Sequence, residues 1–341
     1  MNPVLIVGGG VAGISLAHAC AAKGVDYRIM DDGKNACSSI AAGIVNPFSF
    51  RRTLLTWMAH PFYQEALSFY QNNEKRMRAQ HCFPIDIRRI FSSEEEKTTW
   101  EQRFNDPDFE PFMIPFDRDD EKCPPFGSGR IKGFWIDAKT FIEENLRFFE
   151  KEGTLLKESF SNEAFSVGDL TYKGKGFSNV VFALGYRNKA LPWFQDLPVH
   201  STQGEVLTVS WNNSDMSSSL HRKVYVLPIR PGYFKIGATY MWHTESLEPT
   251  EAARKELLEK FHLISKDEVQ VVKHEVGIRP TSPDRRPLIG EHQTYKGIFV
   301  FNGLGTKGYL TAPPLAQRWV QQLISGNQMD PSTLPYRFKP S

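Results

Sequence analysis

The sequence predicts an α/β protein: a doubly wound, Rossmann-type sheet joined to a second, mostly antiparallel β-sheet with a helix. Three observations predict it. An apolar run, Val4-Leu5-Ile6-Val7, meets Gly8-Gly9-Gly10-Val11-Ala12-Gly13 and then a helical pattern over 11–23. A second apolar run, 179–184, also ends in a glycine, Gly185. Between 204 and 237, three short β-rich segments follow one another with no helix between them, which suits antiparallel pairing. The length of 341 residues fits about two domains.

Each part of the N-terminal motif has a physical task. Gly8 permits a tight turn, Gly10 lets the backbone approach a pyrophosphate, and Gly13 lets the helix lie close on the sheet. Val11 and Ala12 open a helix whose free N–H groups and dipole favour phosphate. Gly24 stands where a C′ glycine would stop that helix. A second strand over 26–30 leads into Asp31 and Asp32. Asp31 stands 18 residues after Gly13, so it can accept hydrogen bonds from an adenosine ribose. NAD and FAD share this fingerprint, so an NAD-linked dehydrogenase stays open at this point.

Residues 37–47 are mostly small, with Ser38, Ser39, Ala42, Gly43 and Ile44 among them. Small side chains let backbone lie against a flat ring system, and a plain loop would read the same way. Residues 61–80 form a helix with a core stripe of Phe62, Ala66, Phe69 and Tyr70. Short strands are expected at 84–87 and 90–91. Between Phe104 and Trp135, seven aromatics and five prolines fall within 32 residues. That stretch reads as an irregular cap packed by its rings, with the acidic run Asp117, Asp119, Asp120 and Glu121 as a solvated loop. A helix over 137–153 carries Phe141, Ile142, Leu146 and Phe149 on one stripe, with Asp137 as N-cap and Gly153 as its stop.

A strand near 154–160 ends at Phe160, and the strand 179–184 passes Ala183 to reach Gly185. Ligands of doubly wound sheets lie off such carboxyl ends. Strands at 204–209, 224–227 and 233–237 and a helix at 251–261 form the second sheet region. Gly277-Ile278-Arg279-Pro280 precedes a last strand, 298–301. That strand runs into Gly303, Gly305, Thr306, Lys307 and Gly308, and a helix over 312–325 follows. The strand, glycine loop and helix repeat the N-terminal logic and offer a second dipole-bearing site.

Composition narrows the function. Lys+Arg number 41 and Asp+Glu 39, so charge gives no reason to expect a nucleic acid or acidic membrane partner. Cys20, Cys37, Cys82 and Cys123 form no CxxC pair, and the nine histidines form no HExxH, so no metal site is expected. No apolar run nears the roughly 20 residues of a membrane helix. The apolar start is too short for a signal peptide, so a cytoplasmic protein is expected. Aromatics make up 13% of the chain, which suggests a large core, a flat ligand, or both.

Five segments, in order, resemble the D-amino acid oxidase superfamily of FAD enzymes, which includes glycine and sarcosine oxidases and a tRNA-modifying oxidase domain. They are 8–13 with Asp31, 38–47, 180–185, 277–290 and 301–313. The resemblance implies extended FAD with its adenine end at Asp31 and Asp32. Its flavin would lie between the loop of Ser38, Ser39, Ala42, Gly43 and Ile44 and the loop of Gly303 to Gly308. Phe160, Ala183 and Gly185 would border the cofactor. The C-terminal third holds no cysteine, so FAD should be noncovalent. The resemblance also implies interleaved domains: FAD-binding from 1–85, 135–200 and 276–341, and substrate or cap from 86–134 and 201–275.

Arg279 matches the family arginine that holds a substrate carboxylate, and a guanidinium grips carboxylate bidentately. Tyr225 matches a family tyrosine that faces substrate. The competing readings are a structural ion pair for Arg279 and a packed strand residue for Tyr225. Lys307 would bring positive charge to the flavin or aid reaction with oxygen, or else face solvent. Two departures stand out: Ser39 replaces an arginine of glycine oxidase, and Leu184 takes a place usually held by a small residue or threonine. The expected reaction oxidises the C–N bond of a small amino acid or related amine. Hydride passes to flavin N5, and water hydrolyses the imine. The alternatives are an FAD-dependent dehydrogenase or oxidase of a modified amine, such as a tRNA-linked one, and a noncatalytic FAD-binding protein.

Overall fold

The computed structural model describes residues 2–34, 36–50, 53–115, 125–212, 217–326 and 328–338. The acidic run 117–121, together with Phe116 and Cys123, lies outside the described residues.

The strand Val4–Val7 is buried along its whole length. It pairs in parallel with Tyr27–Met30 on one side and Asn179–Phe182 on the other. The six-stranded sheet runs Leu288–Glu291, Ile298–Asn302, Asn179–Phe182, Val4–Val7, Tyr27–Met30, Leu155–Leu156. Only the Leu288–Glu291 edge strand is antiparallel to its neighbour. Its central strands Val4–Val7, Asn179–Phe182 and Ile298–Asn302 are covered on both faces, which is why they are near-continuous apolar runs. The helix Val11–Ala22 packs against Gly308–Ser325, which in turn packs against Ala59–Met77. Asp137 caps the helix Ala138–Lys151 by accepting the Thr140 N–H at 3.2 Å.

The second sheet has ten strands. Its spine runs Gln270–Thr281, His200–Ser210, Tyr233–Gly237, Val224–Arg230, Ser218–Arg222, Cys82–Ile90, Ser128–Ile136. Ile44–Val45 and Met113–Ile114 both pair with Ser128–Ile136. All pairs along this spine are antiparallel except Ser218–Arg222 with Cys82–Ile90. The helix Glu251–Phe261 packs on this sheet through Leu257 and Phe261.

Two local expectations need correction. The segments 84–87 and 90–91 are not two strands: one strand, Cys82–Ile90, takes in all of them but Phe91. The supposedly irregular stretch 104–135 starts at the end of a helix, Glu94–Phe104, and closes in the strand Ser128–Ile136. That strand is buried at seven of nine positions, so the alternation that marks a half-exposed strand is erased. The helix buries only Trp100 and shows no apolar stripe. Its signal is the capping-box pattern Ser93-x-x-Glu96, and the Ser93 side chain does accept the Glu96 N–H. The expected segment limits at 85/86, 134/135 and 275/276 each fall inside a strand.

Many of the aromatics are core. Tyr70 is fully buried, its ring 5.3 Å from that of Phe141 and 6.1 Å from that of Tyr309. Its hydroxyl donates to Tyr309 O at 2.9 Å. Beside this core, His18 sits among Phe69, Phe148 and Phe149. Its Nε2 is 2.5 Å from Asn145 Oδ1, and Asn73 and Asn145 exchange amide hydrogen bonds at 2.9 and 3.1 Å. The network ties three helices together. Burial, ahead of the opposing Asn145 hydrogen bond and with help from the Arg76 charge, lowers the His18 pKa from 6.5 to about 4. Between those values the unfolded chain holds a proton here that the folded chain does not, so stability falls as pH falls. The slope is at most about 1.4 kcal/mol per pH unit. His18→Gln is expected to flatten this limb of a urea-midpoint-against-pH curve, and an unchanged slope would contradict the assignment.

Candidate active site

A cavity of about 1160 Å³ opens at the carboxyl ends of the parallel strands and continues across the face of the second sheet. Its first end is the glycine turn. Gly8 has φ +115, and a Cβ there would stand 2.5 Å from Ala183 O. Glycine is therefore required for both the backbone conformation and the close strand approach. A Cβ on Gly13 would collide with Gly8 O, so Gly13 seats the helix under the turn without lining the cavity. Gly10, Val11 and Ala12 do line it. The helix Val11–Ala22 begins at Gly10 with no side-chain cap, and the Val11 N–H reaches Ser38 Oγ at 3.2 Å.

Asp31 is buried and accepts the Gly9 N–H at 2.6 Å and the Gly33 N–H at 2.8 Å. A carboxylate has about four acceptor positions, so capacity is left for a ligand hydroxyl. Asp32 and Phe160 border a smaller pocket of about 160 Å³ next door. Arg187 forks onto Asp32 at 2.7 and 3.3 Å. Burial opposes ionisation, yet Arg187, the Lys34 N–H and Ser159 hold the Asp32 carboxyl down to about 2. Phe160 stacks on Tyr172 with centroids 5.1 Å apart.

The middle of the cavity is bordered by Ser38, Ala42, Gly43 and Ile44 on one side and Gly305, Thr306, Lys307 and Gly308 on the other. Ala183 and Gly185 line it as well. Ser39 sits in the short helix Ala36–Ile40, and Gly303 packs against Leu288; neither borders the cavity. The helix Gly308–Ser325 starts without a side-chain cap, so a second uncapped helix end meets the cavity. Lys307 does not face solvent. Its Nζ donates to Asn46 O at 2.7 Å and Phe48 O at 3.0 Å, and burial lowers its pKa to about 8.

The far end lies on the second sheet. Arg279 comes from Gln270–Thr281 and lies over Gly204 on the adjacent strand, where any Cβ would collide with the guanidinium. Tyr225 comes from Val224–Arg230 and lies over its cross-strand partner Gly237, where a Cβ would collide with the hydroxyl. The strands carrying Gly204 and Gly237 are hydrogen-bonded neighbours. Two glycine gaps on one face of the sheet thus let an arginine and a tyrosine from the two flanking strands lean toward each other. Arg279 donates to Thr239 O at 3.4 Å and sits 5.6 Å from the Tyr240 ring, and no carboxylate pairs with it among the described residues. Burial pushes the Tyr225 hydroxyl pKa well up, with Arg279 opposing, so the group stays protonated at neutral pH.

Three features escape sequence reading. Arg187 finds Asp32 across 155 positions. Lys235 Nζ reaches back to Ile40 O and Ala41 O at 3.3 and 3.4 Å, joining the second sheet to the small-residue segment. His221 borders the cavity opposite Tyr225, its cross-strand partner. None of these contacts has a spacing signal, because each depends on which distant segments the fold sets side by side.

The glycine turn, the carboxylate beyond the second strand and two uncapped helix ends on one cavity fit an extended dinucleotide. The cavity continues past them to a place for a second ligand, the arrangement that a dinucleotide-dependent oxidoreductase needs. The FAD dependent oxidoreductase (DAO) family model matches residues 3–322, and the chain belongs to that family. It is an FAD-dependent oxidoreductase. Among curated relatives, it is 25% identical over 337 residues to the tRNA 5-methylaminomethyl-2-thiouridine biosynthesis bifunctional protein MnmC of Idiomarina loihiensis. That alignment takes in 92% of this chain but 54% of the relative, so the chain spans about half of the bifunctional protein's length. It is 22% identical to the glycine oxidase of Pseudomonas aeruginosa, covering 98% of this chain and 97% of the relative. The glycine oxidase structure from Bacillus cereus superposes with a TM-score of 0.78 at 22% identity and full coverage of both chains. The L-proline dehydrogenase structure from P. horikoshii gives 0.78 at 15% identity, covering 99% of this chain and 97% of that one. Among the described residues, no cluster of His, Cys, Asp or Glu could hold a metal ion, and no helix is long and apolar enough to cross a membrane.

Proposed function

We propose that this chain oxidises the C–N bond of an amine that carries a carboxylate. The observation that carries the reading is the Arg279–Tyr225 pair, aimed over Gly204 and Gly237 in the cavity that also meets the glycine turn. Bound FAD supplies the two-electron acceptor for that bond. Gly8, Gly10 and the N–H groups of the Val11–Ala22 helix would hold its pyrophosphate, and Asp31 its ribose. Gly43, Ile44 and the 305–308 loop would border its ring. Lys307 places a positive charge at the start of the last helix, where an electron-rich ring edge is favoured. By holding the Asn46 and Phe48 carbonyls it also fixes the opposite wall.

Arg279 binds the carboxylate as a fork, and the Tyr225 hydroxyl donates a further hydrogen bond to it. Together they fix the carbon and nitrogen of the scissile bond against the cofactor, so catalysis rests largely on positioning. An amine that arrives uncharged leaves no proton for a protein base to remove, and the chain assigns none. Phe50, Tyr225 and Tyr240 wall the cavity and limit water around the reacting atoms. We place the cofactor unit on the segments 1–85, 135–200 and 276–341 and the substrate unit on 86–134 and 201–275. We place the reaction in the cytoplasm, where Cys20, Cys37 and Cys82 stay free thiols.

The test is anaerobic. A carboxylate-bearing amine should bleach the flavin, whereas the same acid without its amine should only perturb the flavin spectrum. Bleaching by neither would sink the reading. A second reading, a modified amine carried on tRNA, is favoured by the likeness to the bifunctional relative. Its mark would be steeply salt-dependent tRNA binding, against which the charge balance of 41 to 39 argues.

A further inference from the structure

The cavity continues beyond Tyr225 into a polar arm bordered by Phe50, Arg89, Ser92, His221 and Lys223. Neither the carboxylate pair nor the glycine turn uses this arm. Its chemistry is set by His221. The Ser219 hydroxyl stands 3.2 Å from Val226 O, to which it can donate, and 3.0 Å from His221 Nε2. When its one proton goes to Val226 O, Nε2 carries the imidazole proton and Nδ1 is left as an acceptor. Nδ1 has no hydrogen-bond partner among the described residues. The ring is held edge-on to Phe50 with centroids 5.3 Å apart. Burial, then the charges of Arg89 and Lys307, push its pKa down to about 3, so the imidazole stays uncharged at neutral pH. Arg89 is itself tied to Glu96, Nε to Oε1 at 2.6 Å. Ser92 Oγ, on the same arm, is buried with no partner among the described residues.

The register gives the reach. The Arg279 guanidinium lies over Gly204, on the strand His200–Ser210. His221 lies three strands away, past Tyr233–Gly237 and Val224–Arg230. At about 4.8 Å per strand this is roughly 14 Å across the sheet, and Gly204 stands two residues, about 7 Å, along from the row Val206, Gly237, Tyr225, His221, so the diagonal is roughly 16 Å. A hydrogen bond of about 3 Å at each end leaves roughly 10 Å for the ligand. Glycine cannot touch both ends, because its nitrogen and carboxyl carbon are separated by only two bonds of about 1.5 Å.

We propose that this arm is a second substrate subsite, in which His221 Nδ1 accepts a hydrogen bond from an N–H or O–H at the end of the substrate distant from its carboxylate. The substrate class is then a carboxylate-bearing amine extended by a substituent that ends in a neutral donor, such as an amide or a lactam-like N–H. This rests on the carboxylate reading of Arg279. His221 is a positioning residue and transfers no proton.

The test titrates FAD-loaded protein with acids that cannot react and follows the spectrum of the bound flavin. The probes are acetate, hexanoate and adipamate, the last ending in an amide at similar length to hexanoate. The wild type is expected to prefer adipamate to hexanoate by about fivefold, the yield of one neutral hydrogen bond. His221→Leu should erase that preference and leave acetate binding unchanged. His221→Asn, which returns an acceptor near the Nδ1 position, should keep it. No preference in the wild type, or a preference that survives in His221→Leu, overturns the subsite. Failure of the carboxylate reading shows separately, as acetate binding that Arg279→Leu does not weaken, and it overturns both.

Discussion

Replacing Arg279 with leucine is expected to raise the KM for a carboxylate-bearing amine by about 100-fold or more while the protein keeps its FAD. The magnitude follows from the geometry. Hydrogen bonds to charged groups contribute about 1.5–3 kcal/mol each, and a bidentate fork makes two. A loss of roughly 3 kcal/mol is about 100-fold in affinity. The cofactor should remain because Gly8 to Asp31 border the other end of the cavity, and the contact that joins the 305–308 loop to the Arg279 strand, Gly305 N–H to Pro280 O at 2.8 Å, is between backbones and does not involve the Arg279 side chain. Arg279→Lys should recover only part of the loss, since an ammonium cannot copy the planar fork. The decisive measurement is anaerobic flavin reduction at increasing substrate concentration. A leucine variant with the wild-type concentration dependence would remove Arg279 from the site.

The second large effect is at the other end of the cavity. Gly8→Ala should yield folded but colourless protein. The added Cβ meets Ala183 O at 2.5 Å, on a backbone with φ +115. Positive-φ strain costs about 1–3 kcal/mol, and overpacking costs a similar amount. Both distort the turn that must lie against the pyrophosphate. Gly24→Ala is the control. Gly24 also has positive φ, +68, but nothing lies within 4 Å of its Cβ position. It carries the strain without the obstruction and should retain FAD. Flavin-to-protein absorbance ratios, with far-ultraviolet circular dichroism to confirm folding, separate the two. Equal flavin content in both variants would contradict the role given to Gly8.

The cofactor half of this molecule is legible because its signals are local. Val4–Val7, the glycine turn and the following helix occupy consecutive residues, and Asp31 follows the next strand directly. Parallel strands buried on both faces announce themselves as short apolar runs, which is how Asn179–Phe182 and Ile298–Asn302 are found. Arg279 and Tyr225 are legible through family likeness alone. What makes them a pair, the missing side chains at Gly204 and Gly237, is a matter of register and cannot be read from spacing.

Register hides His221 as well, and strand order hides the Arg187–Asp32 pair, whose members follow two strands that flank Val4–Val7. Lys307 looks like a solvent-facing loop lysine in sequence, because nothing local shows that Asn46 and Phe48, some 260 residues earlier, will offer it their carbonyls. The stretch 104–135 misleads for a different reason. A strand buried on both faces loses its alternation, and the helix before it is polar apart from Trp100.

The central claim is that one cavity holds both FAD and a carboxylate-bearing amine in reacting contact. The most direct measurement mixes the purified yellow protein with a panel of such amines in the absence of oxygen and follows the flavin absorbance. At least one amine is expected to bleach the flavin rapidly, and its amine-free counterpart acid to compete with the bleaching. A flavin that stays oxidised with every amine, or bleaching that the counterpart acid does not slow, would contradict it.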